Sequence, residues 1–205
     1  MFRTAALCLL LLGTCASEAA AEWHFVPMAG LTMFGSTSMF DPEEGTGRRH
    51  LHAGGTVSWL SRGIIGVEAL TTWTPNFFEG EPRSEFLDPG GSPVRIKSSR
   101  AISVMANVVV TLPQRWTEYG LRPFVSGGYG LMHARTVDDS EIFPVTVNVG
   151  GVNIGGGAVG FLTNKTGVRF DVRYHSTLNR LEGAPAFGDA HLRYVTASVG
   201  LVIRR

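Results

Sequence analysis

Gly167-Val168-Arg169-Phe170-Asp171-Val172-Arg173-Tyr174-His175 decides the fold. Val168, Phe170, Val172 and Tyr174 fall on one side of an extended chain, and Arg169, Asp171, Arg173 and His175 on the other. That is the period of two of a β-strand with one apolar face, because successive side chains of a strand point to opposite faces. The same alternation recurs nearby. In His191–Ile203, Val195, Ala197, Val199, Leu201 and Ile203 oppose Tyr194, Thr196, Ser198 and Gly200. In Arg100–Leu112, Ile102, Val104, Ala106, Val108, Val110 and Leu112 oppose Ser103, Met105, Asn107 and Thr111. In Gly63–Thr74, Ile65, Val67, Ala69, Thr71 and Trp73 oppose Gly66, Glu68, Thr72 and Thr74.

Four weaker segments complete a set of eight: Trp23–Phe34, His50–Leu60, Arg122–Ala134 and Val145–Leu162. The last changes phase near Gly150-Gly151, from Val145, Val147 and Val149 to Val152 and Ile154. A phase change at a glycine pair predicts a β-bulge. The connections alternate in length. Ser61-Arg62-Gly63, Pro113–Gly120 and Thr163-Asn164-Lys165-Thr166 are short, whereas about 35–49, 76–99, 137–144 and 179–190 are mostly longer. Short turns at one end and longer loops at the other are expected of an up-and-down barrel in an outer membrane. A Greek-key sandwich would not sort its loops in this way.

Alternation alone does not say which face meets solvent. A soluble lipocalin-like barrel keeps its apolar face inside; a membrane barrel turns it outward. Three features favour the second. The apolar faces are nearly free of charge over about ten residues, the span of a tilted membrane strand. The opposite faces are largely Gly, Ser, Thr and Asn with a few ions, which suits a crowded lumen. Trp23, Phe25, Trp59, Trp73, Phe77, Phe78, Trp116 and Tyr119 cluster near strand ends. Of these, Trp23, Trp59, Trp73, Trp116 and Tyr119 are the candidate interface aromatics. The expected fold is all-β: an eight-stranded antiparallel up-and-down transmembrane β-barrel.

Composition agrees. Glycine supplies 26 of 205 residues and charged residues only 17%. The formal net charge of +1 argues against a general nucleic-acid binder. Residues 1–21 read as a cleaved secretory signal: Arg3, the apolar run Ala5–Leu12, then Ala19-Ala20-Ala21. Leu12-Gly13-Thr14-Cys15 is only faintly a lipobox. Both cysteines, Cys8 and Cys15, lie in this leader, so residues 22–205 form a single barrel domain with no disulfide. No Cys/His metal spacing exists and no cofactor is expected. Of the 16 acidic residues after the leader, 12 fall in the four longer loops, which reads first as solvation and second as a cation-attracting rim.

The segments Leu121-Arg122-Pro123-Phe124-Val125-Ser126-Gly127-Gly128-Tyr129-Gly130 and Gly167–Tyr174 resemble strands five and seven of the outer-membrane β-barrel domain family. These are the small eight-stranded porin-like proteins of Gram-negative bacteria. The resemblance spans Trp23–Arg205. It implies location in the outer membrane, with outer-membrane lipid as a partner, and no shared ligand. A complete barrel has no edges and no need of a partner, so a monomer is expected although the sequence leaves oligomeric state open. Such barrels often end in an aromatic residue, whereas this chain ends Arg204-Arg205.

Arg169, Asp171, Arg173 and His175, with Glu68 and Arg122, are the candidate lumen charge network. Ions in a narrow lumen must be paired, so Arg169 or Arg173 is expected to meet Glu68 or Asp171. The preferred reading is a largely plugged polar lumen, with a structural or interaction role carried by the loops, which are also where an extracellular ligand would bind. The rivals are a narrow solute channel or transport module, a lipid-modifying enzyme, and a soluble periplasmic barrel. Catalysis is disfavoured: His175 and Ser176 point to opposite faces, Thr177 is a poor nucleophile at the right spacing, and no G-x-S-x-G elbow occurs. The glycine-rich runs 127–130 and 150–157 open no helix, so they are not phosphate loops. Asn164-Lys165-Thr166 has the form of a glycosylation sequon but sits in a short turn. His50 and His52 share a face near Arg48-Arg49 and read as exposed loop-edge histidines before they read as a metal pair.

Overall fold

The computed structural model describes residues 22–37, 49–60, 64–77, 96–112, 120–138, 145–178 and 192–205. The leader, most of each longer loop, Trp116 and Tyr119 lie outside these residues. Eight strands run β1 (Glu22–Thr37), β2 (His50–Leu60), β3 (Ile65–Pro75), β4 (Ile96–Thr111), β5 (Leu121–Asp138), β6 (Val145–Phe161), β7 (Thr166–Thr177) and β8 (Leu192–Arg204). Each pairs antiparallel with its sequence neighbour, and β1 pairs with β8, closing the barrel. Closure leaves no free edge strand in the sheet. We call the end of the barrel that holds the start of β1, the end of β8 and the β6–β7 turn the turn end, and the opposite end, from which the strands run into the longer stretches of sequence, the loop end.

The register can be followed round the wall. From Glu22 it passes through Leu60, Gly66, Val109, Ser126, Gly155, Arg173 and Thr196, and returns to β1 at Thr32, ten residues further on. An offset of that kind requires the strands to tilt against the barrel axis.

The apolar faces point outward. Val67, Val104, Val108, Val125, Ile154, Phe170, Val172, Val199 and Leu201 are all exposed, while Glu68, Ser103, Asn107, Ser126, Arg169, Asp171, Arg173 and Ser198 are buried in the bore. A wall of this kind lowers its free energy in hydrocarbon rather than in water. Trp23 and Trp59 sit opposite each other at the turn end, 49% and 46% exposed, and Trp73 projects outward near the loop end.

The bulge expected at Gly150-Gly151 is not formed. β5 and β6 hold one register from Leu121↔Gly160 to Thr136↔Val145, and β6 and β7 hold theirs through Gly151↔Thr177. The strand does not slip; the residues change preference. Val152 and Ile154 face outward lower on β6, whereas Val149 is buried and Thr146 and Asn148 are exposed nearer the loop end. The irregularities lie elsewhere, in β1 between Met33 and Ser36, where Phe34 takes φ 53°, and between Ile96 and Ser98 on β4.

At the seam the two end strands are knit together. Trp23 N donates to Arg205 O at 3.2 Å and Arg205 N to Trp23 O at 2.9 Å. Arg204 pairs with Glu22, and its guanidinium lies 5.4 Å from the Phe161 ring centroid. The side chain of Arg204 and the main chain of Arg205 thus fasten β8 to β1.

Candidate functional site

The bore is stratified. Near the turn end Val26, Leu60, Val109, Phe124, Val159 and Val202 are buried in it. Above them lie the ions. Glu68 on β3 receives Arg169 Nη1 at 2.6 Å on one oxygen and Arg173 Nη2 at 2.7 Å on the other. Asp171 lies between the two arginines on β7. It accepts from Arg169 Nη2 at 2.7 Å and from Arg173 Nε at 2.6 Å. The i, i+2, i+4 spacing on one strand makes this possible, since it puts three side chains on one face. Two cations and two anions form a net-neutral cluster with almost no exposure.

Neutral groups complete it. Ser58 Oγ and Asn107 Nδ2 donate to Glu68, and Asn153 Nδ2 donates to Asn107 Oδ1. The Arg169 guanidinium also lies 4.2 Å from the Phe124 ring centroid, a cation–π arrangement. Glycines on β6 leave the room: a Cβ on Gly155 would stand 2.5 Å from Cγ of Arg173. Glycine there serves packing of a long side chain rather than a turn or a phosphate. β3 and β7 are four strands apart in an eight-stranded ring, so the Glu68–Arg173 contact crosses the full width of the bore.

The other two candidates sit outside the four-ion cluster. Arg122 is buried at the turn end, where Nε donates to Leu112 O at 3.0 Å. His175 stacks on Tyr194 with centroids 4.7 Å apart and planes at 13°, and Thr196 Oγ1 is 3.4 Å from Nε2.

Nearer the loop end is a layer of hydroxyls and imidazoles. His52 is buried rather than exposed. Its Nδ1 is 3.1 Å from Thr32 Oγ1 and its Nε2 is 2.9 Å from Ser198 Oγ. Both ring nitrogens are occupied, which leaves no lone pair for a metal, and among the described residues no three ligand-type side chains gather. His50 packs beside Phe77 with centroids 6.0 Å apart. The Ser198–His52 contact has nucleophile–base spacing. The second imidazole nitrogen meets a threonine instead of a carboxylate, however, and the pair is enclosed by the wall. Thr177 Oγ1 accepts from Leu192 N instead of meeting His175.

The loop-end interior is apolar again. Phe77, Ala101, Met132, Ala134, Val149 and Leu192 are buried there, and Phe77 meets Tyr194 edge-on at 5.3 Å. The sequence did not signal the hydroxyl layer or this apolar cap, because both depend on residues brought together by closure.

No protein-family model matches the chain, and no curated protein sequence does. Solved structures do. The chain is similar to Neisserial surface protein A, with TM-score 0.58 and 12% identity, covering 90% of this chain and 98% of that one. It is similar to the outer membrane protein OprG from Pseudomonas aeruginosa, with TM-score 0.54 and 10% identity over 92% and 98%. It is also similar to Ail, the attachment invasion locus protein of Yersinia pestis, solved with the heparin analogue sucrose octasulfate; there the TM-score is 0.51 and identity 14% over 90% and 99%. With a closed, all-antiparallel, apolar-outside wall of eight strands, the chain has the fold of the small transmembrane β-barrels of outer membranes.

Proposed function

We propose that this is an integral outer-membrane protein of a Gram-negative bacterium, exported through a cleaved leader at residues 1–21. Its lumen is plugged, and it acts as a structural or interaction protein through loops 35–49, 76–99, 137–144 and 179–190. It is not an enzyme and functions as a monomer, with lipid around the wall and Trp23, Trp59, Trp73, Trp116 and Tyr119 at the membrane interfaces. The observation that carries the plug is the ion cluster spanning the bore from β3 to β7. A solute passing there would have to part charges buried against each other, which is costly once water is excluded. Ail, whose fold this chain shares, was solved in complex with the heparin analogue sucrose octasulfate, which supports an interaction role here over a purely structural one.

The experiment is in two steps. Envelope protein extracted in detergent is run unboiled and boiled; a mobility shift on boiling is expected of a folded membrane barrel. The folded protein is then placed in a planar bilayer, where no steady conductance is expected. A soluble, unshifted protein would overturn the membrane reading. Stable conductance steps would replace the plug with a narrow channel. One observation favours that second reading: Arg173 Nη1, His175 Nδ1, Asn153 Oδ1 and Ser126 Oγ are buried on β5–β7 with no hydrogen-bond partner among the described residues. Polar groups so placed are usual hosts for internal water.

A further inference from the structure

The outward wall changes character at its loop end. Arg49 just before β2, Arg100 on β4, Arg135 on β5 and Arg193 on β8 all stand exposed there. They lie beyond the apolar residues of the same strands, Leu51, Ile102, Leu131 and Val195. None makes an ion pair with a described residue. Glu22, Glu68 and Asp171 all face the bore rather than this outward surface. Arg100 and Arg135 are direct cross-strand partners, an arrangement of like charges that is unfavourable unless an anion lies between them. His133 and Asn148 flank Arg135 on the same outward face, with Nδ1 and Oδ1 2.7 Å apart. The Tyr129 hydroxyl lies just below, over Gly150.

We propose that this arginine collar binds the phosphates of anionic lipid headgroups in the leaflet that meets the loop end. The chemistry fits on three counts. The guanidinium fork matches phosphate oxygens in bidentate fashion. The collar stands at the margin of the apolar band, where headgroups lie and where basic residues gain most from a charged leaflet. Acidic residues outnumber basic ones in the four loops, so a soluble polyanion arriving from outside meets repulsion that a lipid arriving sideways does not. The proposal rests on the membrane-barrel reading and adds a ligand class to it.

The test uses the chain refolded in zwitterionic detergent, with folding verified by the boiling shift. Phosphatidic acid and phosphatidylcholine of the same acyl chains are titrated in, and bound lipid is counted by native mass spectrometry. Phosphatidic acid is expected to be taken up preferentially. Arg100→Gln with Arg135→Gln should lower its uptake by about twenty-five-fold, on the basis of about fivefold for each arginine near a charged lipid surface. Arg49→Gln with Arg193→Gln offers an independent second pair, and the corresponding Arg→Lys pairs should retain part of the preference. Equal uptake by the parent and both Gln pairs, or equal uptake of the two lipids, overturns the collar while the barrel stands. Displacement by inorganic phosphate at equal concentration would assign the arginines to a soluble anion and overturn the lipid assignment. A parent protein that shows no boiling shift fails at the barrel reading itself, and the collar falls with it.

Discussion

Two levels of the same wall obey opposite rules. Midway along the barrel the outside is Val, Ile, Phe and Tyr, and the inside is Glu68, Asp171, Arg169 and Arg173. Toward the loop end the outside carries Arg100, Arg135, Arg193, Asn148 and Thr146, and the inside carries Phe77, Val149, Met132 and Leu192. β6 shows the reversal within one strand and without a slip in register. The polarity of a face is therefore set by what surrounds the wall at that height. Where hydrocarbon surrounds it, backbone closure and an apolar exterior suffice, and the bore can hold ions that neutralise each other. Where water surrounds it, the wall needs an apolar interior in the manner of a soluble domain.

The comparison can be broken at its charged level first. Glu68→Ala leaves two guanidiniums facing one carboxylate, and breaking a buried pair from one side costs about 3–5 kcal/mol. A urea titration of the folded barrel, followed by the unboiled gel band, should show that loss. Pairing Glu68→Leu with Arg173→Met should return much of it, because an apolar replacement of similar size removes the unpaired charge as well. At the loop end the sensitive group is apolar. Leu192→Ala should cost about 2–5 kcal/mol by the usual cavity penalty, and an unchanged urea midpoint would show that the cap contributes no packing. The exterior supplies the sharpest contrast. Ile154→Arg, at the middle of the wall, should cost about 2–4 kcal/mol in a bilayer, whereas Thr146→Arg on the same strand should stay within about 0.5 kcal/mol. Equal costs at the two positions would erase the distinction between levels. The smallest effect belongs to the ring under Arg169: a double-mutant cycle of Phe124→Leu and Arg169→Met, read by the same titration, should give a coupling of about 0.5–1 kcal/mol from cation–π attraction, and zero coupling would show that the ring acts by packing alone.

Much of the fold was legible because period-two alternation is a local signal. The eight segments, their order and the inward side of Arg169, Asp171, Arg173 and His175 all follow from residue spacing. The choice of outside over inside came from the paucity of charge on the apolar faces. What could not be read was whatever closure creates. Ser198 meets His52 from a strand 146 positions away, and nothing in either local sequence marks the other. Treating each strand as having a single greasy face also turned the change at Gly150-Gly151 into an expected bulge. It was instead the level at which the surroundings change, and a periodicity argument carries no term for height. His50 and His52 were misplaced for another reason: proximity to Arg48-Arg49 suggested the rim, yet their parity puts them on the inward face.

The ten-residue climb of the register has a consequence of its own. With the number of strands fixed, that climb and the width of the barrel are tied together. The bore is thus governed by a whole number that no single contact controls. Adding two residues to the middle of β7 would leave every side chain on its accustomed face, so composition and alternation would look untouched. Yet the climb would become a different integer, the circumference would have to follow, and Glu68 would no longer find Arg169 and Arg173 across the gap. Substitutions tune this molecule by degrees, whereas insertions change it in steps.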